Sequence, residues 1–143
     1  MDASNTTILS SELQELYLLN KEWFSDVLFL EDETRFYKKI FTKLLLSKIK
    51  EEHFHEVQSV NQSLLALEKR REDLKALIVR HQHLLETLIK DPAKEMSIKF
   101  IDENTQIVEE IKSVFDSDKT IKKELFKLVE GVIQEDKASH LLE

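Results

Sequence analysis

One glycine, Gly131, and one proline, Pro92, are all that this chain of 143 residues contains. That scarcity constrains the fold more than any motif does. Tight hairpins and β-bulges draw on glycine, and turns draw on both residues. A chain this poor in them has few places to reverse, which argues against a β-rich fold. Leu, Lys, Glu and Ile are abundant instead, and all but Ile are strong helix formers. The expected class is all-α.

Three stretches share one apolar pattern. Leu13, Leu16, Trp23, Val27, Leu30, Tyr37, Phe41 and Leu44 follow steps of three and four, with Asn20 and Thr34 in the gaps. Val57, Val60, Leu64, Leu67, Leu74, Ile78, Leu85 and Leu88 repeat it, with Arg71 and His81 in the gaps. Ile107, Ile111, Val114, Ile121, Leu125, Leu128 and Val132 form the third series, interrupted by Asp118. A period near 3.5 residues predicts supercoiled helix packing. Phe24, Leu28, Phe36 and Ile40 widen the first seam into a broad apolar face.

The helix boundaries follow from local chemistry. Residues 1–9 read as a flexible polar lead-in, and Ser11 with Gln14 has the form of a capping box. The first connection falls within Ser47–Glu52, after Lys43, Lys48 and Lys50, which suit the negative end of a helix dipole. Asp91-Pro92 is the clearest punctuation: Asp91 is the expected N-cap and Pro92 the first residue of the third helix. The third series keeps its phase through Phe115-Asp116-Ser117-Asp118, so one continuous helix is expected. A break at Asp116–Asp118 would give a four-helix up-down bundle instead. The prediction is a single domain over residues 1–143, a long antiparallel three-helix bundle with coiled-coil-like packing. Its segments of about 38 residues would each be roughly 57 Å long.

Antiparallel geometry matches levels along such helices. Position i on the first helix faces roughly 100 − i on the second, and position j there faces roughly 184 − j on the third. One level then gathers Glu31, Glu33 and Thr34 with Arg70, Arg71 and Asp118. Its plainest reading is a structural ion-pair layer that fixes register, with Glu33, Arg71 and Asp118 within one or two turns of one level and at least one direct ion pair in the group that includes Glu31 and Arg70. The alternative is a carboxylate-lined metal site, although the Glu-x-x-His pairs of di-metal bundles do not occur here. A second level gathers Asn20, His81 and Asn104 or Thr105, and predicts a hydrogen-bonded core histidine with neutral partners.

Further histidines offer metal chemistry. His83 and Glu86 share one helical face, as surface residues or a metal-ligand pair. His53 and His55 lie near the first turn but point apart on a helix, and His140 approaches that end from the third helix. Three histidines there would suit zinc or nickel.

Composition narrows the function classes. The net charge of −7 argues against nucleic acid and anionic membranes. Lys69-Arg70-Arg71, flanked by Glu68, Glu72 and Asp73, reads as a salt-bridged face rather than a phosphate-binding patch. Without cysteine there is no disulfide, iron–sulfur or thiol chemistry. No nucleophile elbow or Gly-rich phosphate loop occurs. The most apolar stretch, Leu16–Leu30, is interrupted by Asn20, Lys21, Glu22 and Asp26 and is no membrane span. The start lacks a signal-peptide pattern, so the cytoplasm is the expected compartment. Spectrin-type three-helix repeats also carry a tryptophan in the first helix; Trp23 alone assigns no family.

These observations predict a non-enzymatic interaction or scaffolding module without cofactor. Its partner is another protein or a second copy, because Phe24, Phe29, Phe36, Phe54, Phe100 and Phe126 exceed what one three-helix seam covers. The rival reading is a metal-binding bundle, using the mid-level carboxylates or the histidines near the first turn. A third is an amphipathic bundle that carries lipid and opens at a membrane.

Overall fold

The computed structural model describes residues 3–91 and 97–142, and the side chains of 11–91 and 97–135. Three helices account for nearly all of it. Helix α1 spans Ala3–Leu45, α2 Phe54–Lys90 and α3 Ile98–Leu142, with 43, 37 and 45 residues. A 3-10 turn, Glu51–His53, leads into α2. No strand occurs among the described residues. The chain is all-α, as the scarcity of glycine and proline predicts. Because α3 runs unbroken through Asp116–Asp118, the four-helix alternative falls. No helix among the described residues is long and apolar enough to cross a membrane.

Two helix starts differ from expectation. Helix α1 is already formed at Ala3, so Ser11 lies inside it and the described part of the 1–9 segment is helical. Asp91 does not cap α3. Its amide donates to the Thr87 carbonyl at 3.0 Å, continuing the α2 ladder. Ser97 takes the capping role, its Oγ accepting from the Phe100 amide at 3.1 Å. Both residue types make good N-caps, so the choice rests on which oxygen reaches an orphan helix amide. Pro92 lies outside the described residues.

The first connection falls where the sequence places it. At the end of α1 the amides of Leu46 and Ser47 bond back to Lys43 and Leu44, three residues away. Such bonds tighten the last turn. Positive φ angles are absent among the described residues, which is how this turn forms without glycine.

The helices build two compact units, each with segments of all three. The first comprises Met1–Phe29 and Arg71–Ser113, the second Leu30–Arg70 and Val114–Glu143. In the first unit Asn20 meets Ile78 while Phe24 meets Lys75, so α1 and α2 run antiparallel there. In the second, Arg70 meets Ser117 while His53 meets Glu135, so α2 and α3 are antiparallel as well. These pairings fall within about a turn of the expected register.

The seams form the cores. In the first unit Trp23, Val27, Leu74, Ile78, Leu85, Leu88, Phe100 and Ile107 are buried, and Leu13 and Leu16 pack on the Leu85–Leu88–Phe100 cluster. In the second, Leu30, Tyr37, Phe41, Leu44, Val60, Leu64, Leu67, Val114, Ile121, Leu125, Leu128 and Val132 are buried. Each such side chain contributes about 1.5–3 kcal/mol on leaving water. The polar residues in the gaps, Asn20, Thr34, Arg71, His81 and Asp118, are buried too. They are where chemistry has to be explained.

Candidate functional site

Three polar clusters stand out, one in the first unit and two in the second. The first centres on His81, which is fully buried on α2. Its Nδ1 donates to Glu103 Oε1 at 3.1 Å, and its Nε2 edge faces the Asn104 side-chain amide at 3.3 Å. The Phe100 ring stacks on the imidazole, with centroids 4.3 Å apart and planes 12° apart. Trp23 lies on it at a tilt, with centroids 6.4 Å apart. Glu103 is itself buried, and its second oxygen accepts from Arg80 at 2.8 Å. Asn20 donates to the Ile78 carbonyl at 3.3 Å rather than to the histidine.

This cluster corrects the expected neutral surroundings of His81. Asn104 is present as predicted, but the main partner is a carboxylate. Thr105 is exposed and bonds back to Ile101 in its own helix. The pattern held a signal for Glu103. Carried back from Ile107 by four and then three residues, the third seam reaches Glu103 and Phe100. Phe100 is accordingly core, not surplus.

The second cluster is acidic. Tyr37, on the α1 seam, directs its hydroxyl at two carboxyl groups: Glu33 Oε2 at 3.2 Å and Asp118 Oδ2 at 3.4 Å. One phenol proton cannot serve both acceptors fully. Burial, foremost, and then the hydrogen bond and charge of Glu33 push the Asp118 carboxyl up to about 7, while Tyr37 and Lys122 pull it down. The Tyr37 phenol is pushed up in turn, by burial first and then by both carboxylates. The Asp118 carboxyl therefore holds its proton well above the ordinary carboxylate range.

The other residues of the predicted level also make polar contacts. Arg70 donates to Ser117 Oγ at 3.0 Å. Glu31 pairs with Arg35 at 3.3 Å on its own helix. Thr34 bonds back to the Leu30 carbonyl at 2.7 Å. Arg71 belongs to the first unit, where its guanidinium lies 3.9 Å from Glu72. The hydroxyl that brings Glu33 and Asp118 together belongs to a residue the apolar pattern counts as core.

The third cluster lies where the first turn meets α3. Glu52, His53 and Glu135 each offer a donor atom, and the three atoms lie within 4.8 Å of one another. His53 Nε2 is 2.9 Å from Glu135 Oε1, and Nδ1 is 3.8 Å from Glu56 Oε2. The Nε2 contact is close without the alignment of a hydrogen bond, and the atom is buried. Glu52 and Glu135 share a hydrogen bond that raises the Glu52 carboxyl and lowers that of Glu135. Gly131 lies against this histidine: a β-carbon there would sit 3.6 Å from His53 Cε1.

Of the expected first-turn histidines only His53 enters this group. His55 is exposed, and the His140 side chain lies outside the described residues. His83 and Glu86 form an exposed surface pair at 3.7 Å. Glu135 was reachable by level matching, which sets position 131 opposite His53 and leaves Glu135 one turn further on. The chain matches no known protein-family model, no curated protein and no solved structure.

Proposed function

We propose that this chain is a non-catalytic helical interaction module that associates with a second copy of itself. The supporting observation is the fate of its phenylalanines. Among the six that exceed the seam, Phe100 is buried, whereas Phe29, Phe36 and Phe54 are 55%, 53% and 55% exposed. Leu28 on α1 is also exposed, and Phe24 is half-buried beneath the Lys75 ammonium. Scattered exposed leucines are ordinary on any surface, but large uncovered aromatics are depleted there and enriched at interfaces. Covering one such ring recovers part of the 1.5–3 kcal/mol that full burial contributes, roughly, per side chain.

The second unit adds an open apolar cleft of about 380 Å³ near the first turn, lined by Phe41, Leu45, Phe54, Val57, Gln58 and Asn61. Helical partners commonly lay an apolar face into grooves of this kind. Sedimentation velocity across micromolar concentrations tests the reading. The expected species is heavier than the 16.9 kDa chain. Phe36→Glu and Phe54→Glu should shift it toward monomer with helicity intact, because both side chains are exposed. A wild-type monomer at every concentration would refute self-association.

A further inference from the structure

We infer that Glu52, His53 and Glu135 form a binding site for a first-row divalent transition-metal ion, zinc being the representative case. The inference is independent of self-association and rests on three features of the first turn.

The first is convergence from separate elements. Glu52 and His53 come from the 3-10 turn before α2 and Glu135 from α3, yet their donor atoms lie within 4.8 Å of one another. Zinc binds imidazole nitrogen and carboxylate oxygen at about 2.0–2.2 Å. Glu52 is exposed, so its carboxylate has room to turn toward the other two donors.

The second is the state of His53. Its Nε2 is buried, has no aligned hydrogen-bond partner, and sits 2.9 Å from a carboxylate oxygen. As the neutral imidazole, with its proton on Nδ1, the ring would present that nitrogen to a cation beside Glu135. Metal-bound histidines usually donate their other ring N–H to a carboxylate, which fixes the ring. Glu56 Oε2 lies on that side of the ring, 3.8 Å from Nδ1, one small shift beyond hydrogen-bond reach.

The third is charge. Two carboxylates brought into contact repel unless a proton or cation lies between them. A divalent ion satisfies both. The donor set selects the class of ion. Imidazole favours zinc and its neighbours over magnesium and calcium, which prefer oxygen alone. Three protein ligands leave a fourth position for water on the side where Glu52 is exposed.

The test is titration of the full-length chain with zinc chloride at neutral pH, in competition with a chromogenic chelator. One zinc per chain is expected. Glu52→Gln, His53→Gln and Glu135→Gln should each weaken binding by more than about tenfold, and Glu56→Gln by about tenfold, the range seen for outer-shell partners. Glu52 is exposed, so its variant keeps the fold even if His53→Gln does not. Cobalt in place of zinc should give visible d–d absorption that Glu52→Gln alters. Absence of saturable binding at one zinc per chain would overturn the proposal. Wild-type affinity in Glu52→Gln and Glu135→Gln, with loss only in His83→Gln, would overturn it as well by placing the ion on the His83–Glu86 pair.

Discussion

The two units place a polar group at the same kind of position and satisfy it in opposite ways. In the first, His81 interrupts the α2 seam and a buried carboxylate, Glu103, comes to meet it. Arg80 takes the second oxygen of that carboxylate from the surface side, being 64% exposed. Donors and acceptors are matched, and a surface cation reaches in to share the buried charge. In the second unit, Asp118 interrupts the α3 seam and meets another acid and a phenol. Burial and Glu33 outweigh Lys122, which acts on that carboxyl from a distance, and the Asp118 carboxyl is pushed up to about 7. A gap in a coiled-coil seam thus specifies only that a polar group will be buried. Its partners decide whether it works as a charge or as a neutral hydrogen-bonding group.

The largest expected effects test whether the two cores are otherwise equivalent. Leu85 in the first unit and Leu125 in the second are both fully buried. Leu85→Ala and Leu125→Ala should each cost about 2–5 kcal/mol in urea unfolding, the range for leucine truncation in a packed core. A loss in one unit only would show that the units contribute unequally, and the comparison would need a packing term. Next comes Glu103→Gln, which removes the charge from two hydrogen bonds, those to His81 and Arg80. It should cost roughly 1.5–3 kcal/mol, the value for hydrogen bonds to charged groups. Unchanged stability would mean that Arg80 and His81 find other partners.

A smaller effect is the pH dependence contributed by Asp118. Its carboxyl titrates near 7 in the folded protein and at 3.8 ordinarily. Between those values the folded state holds the proton more tightly than the unfolded chain does. This contribution to stability is therefore complete below about pH 4, declines as the pH rises, and is gone above about 7. The urea midpoint of wild type minus that of Asp118→Asn should fall over this window. A difference independent of pH would show that Asp118 is ionised throughout. The smallest expected change is Gly131→Ala. An added methyl meets His53 at an ordinary contact distance of 3.6 Å, and alanine is better than glycine within a helix by about 0.8–1.0 kcal/mol. A modest gain is expected, and a loss would show that the His53 ring needs more room than its resting position takes up.

The fold was legible because its governing signal is periodic. From Asn20 to Leu44 and from Val60 to Leu88, every seam position, polar gaps included, is buried. Level matching found the antiparallel register for a related reason: helical rise is uniform, so two turn positions determine the rest. Helix starts were less legible because several residues suit the same role. Asp91 and Ser97 are both good N-caps, and only the backbone geometry selects Ser97. The clusters were half legible. His81 and Asp118 announced themselves as gaps, whereas Glu103 sat before the point where the seam was first recognised. Tyr37 was hidden by its residue type, since a phenol in an apolar row reveals nothing of where its hydroxyl is directed. His53 and Glu135 come from a turn and a far helix, outside any single periodic series.

The contrast between the units reduces to one paired measurement: urea unfolding of Glu103→Gln and Asp118→Asn at pH 8, each against wild type. At that pH wild-type Asp118 is ionised in surroundings that favour its neutral form, and asparagine mimics the neutral form. The prediction is opposite signs, with Glu103→Gln less stable than wild type and Asp118→Asn as stable or more so. Equal destabilisation by both would contradict the account, because it would show that Asp118, like Glu103, is held as a paired charge.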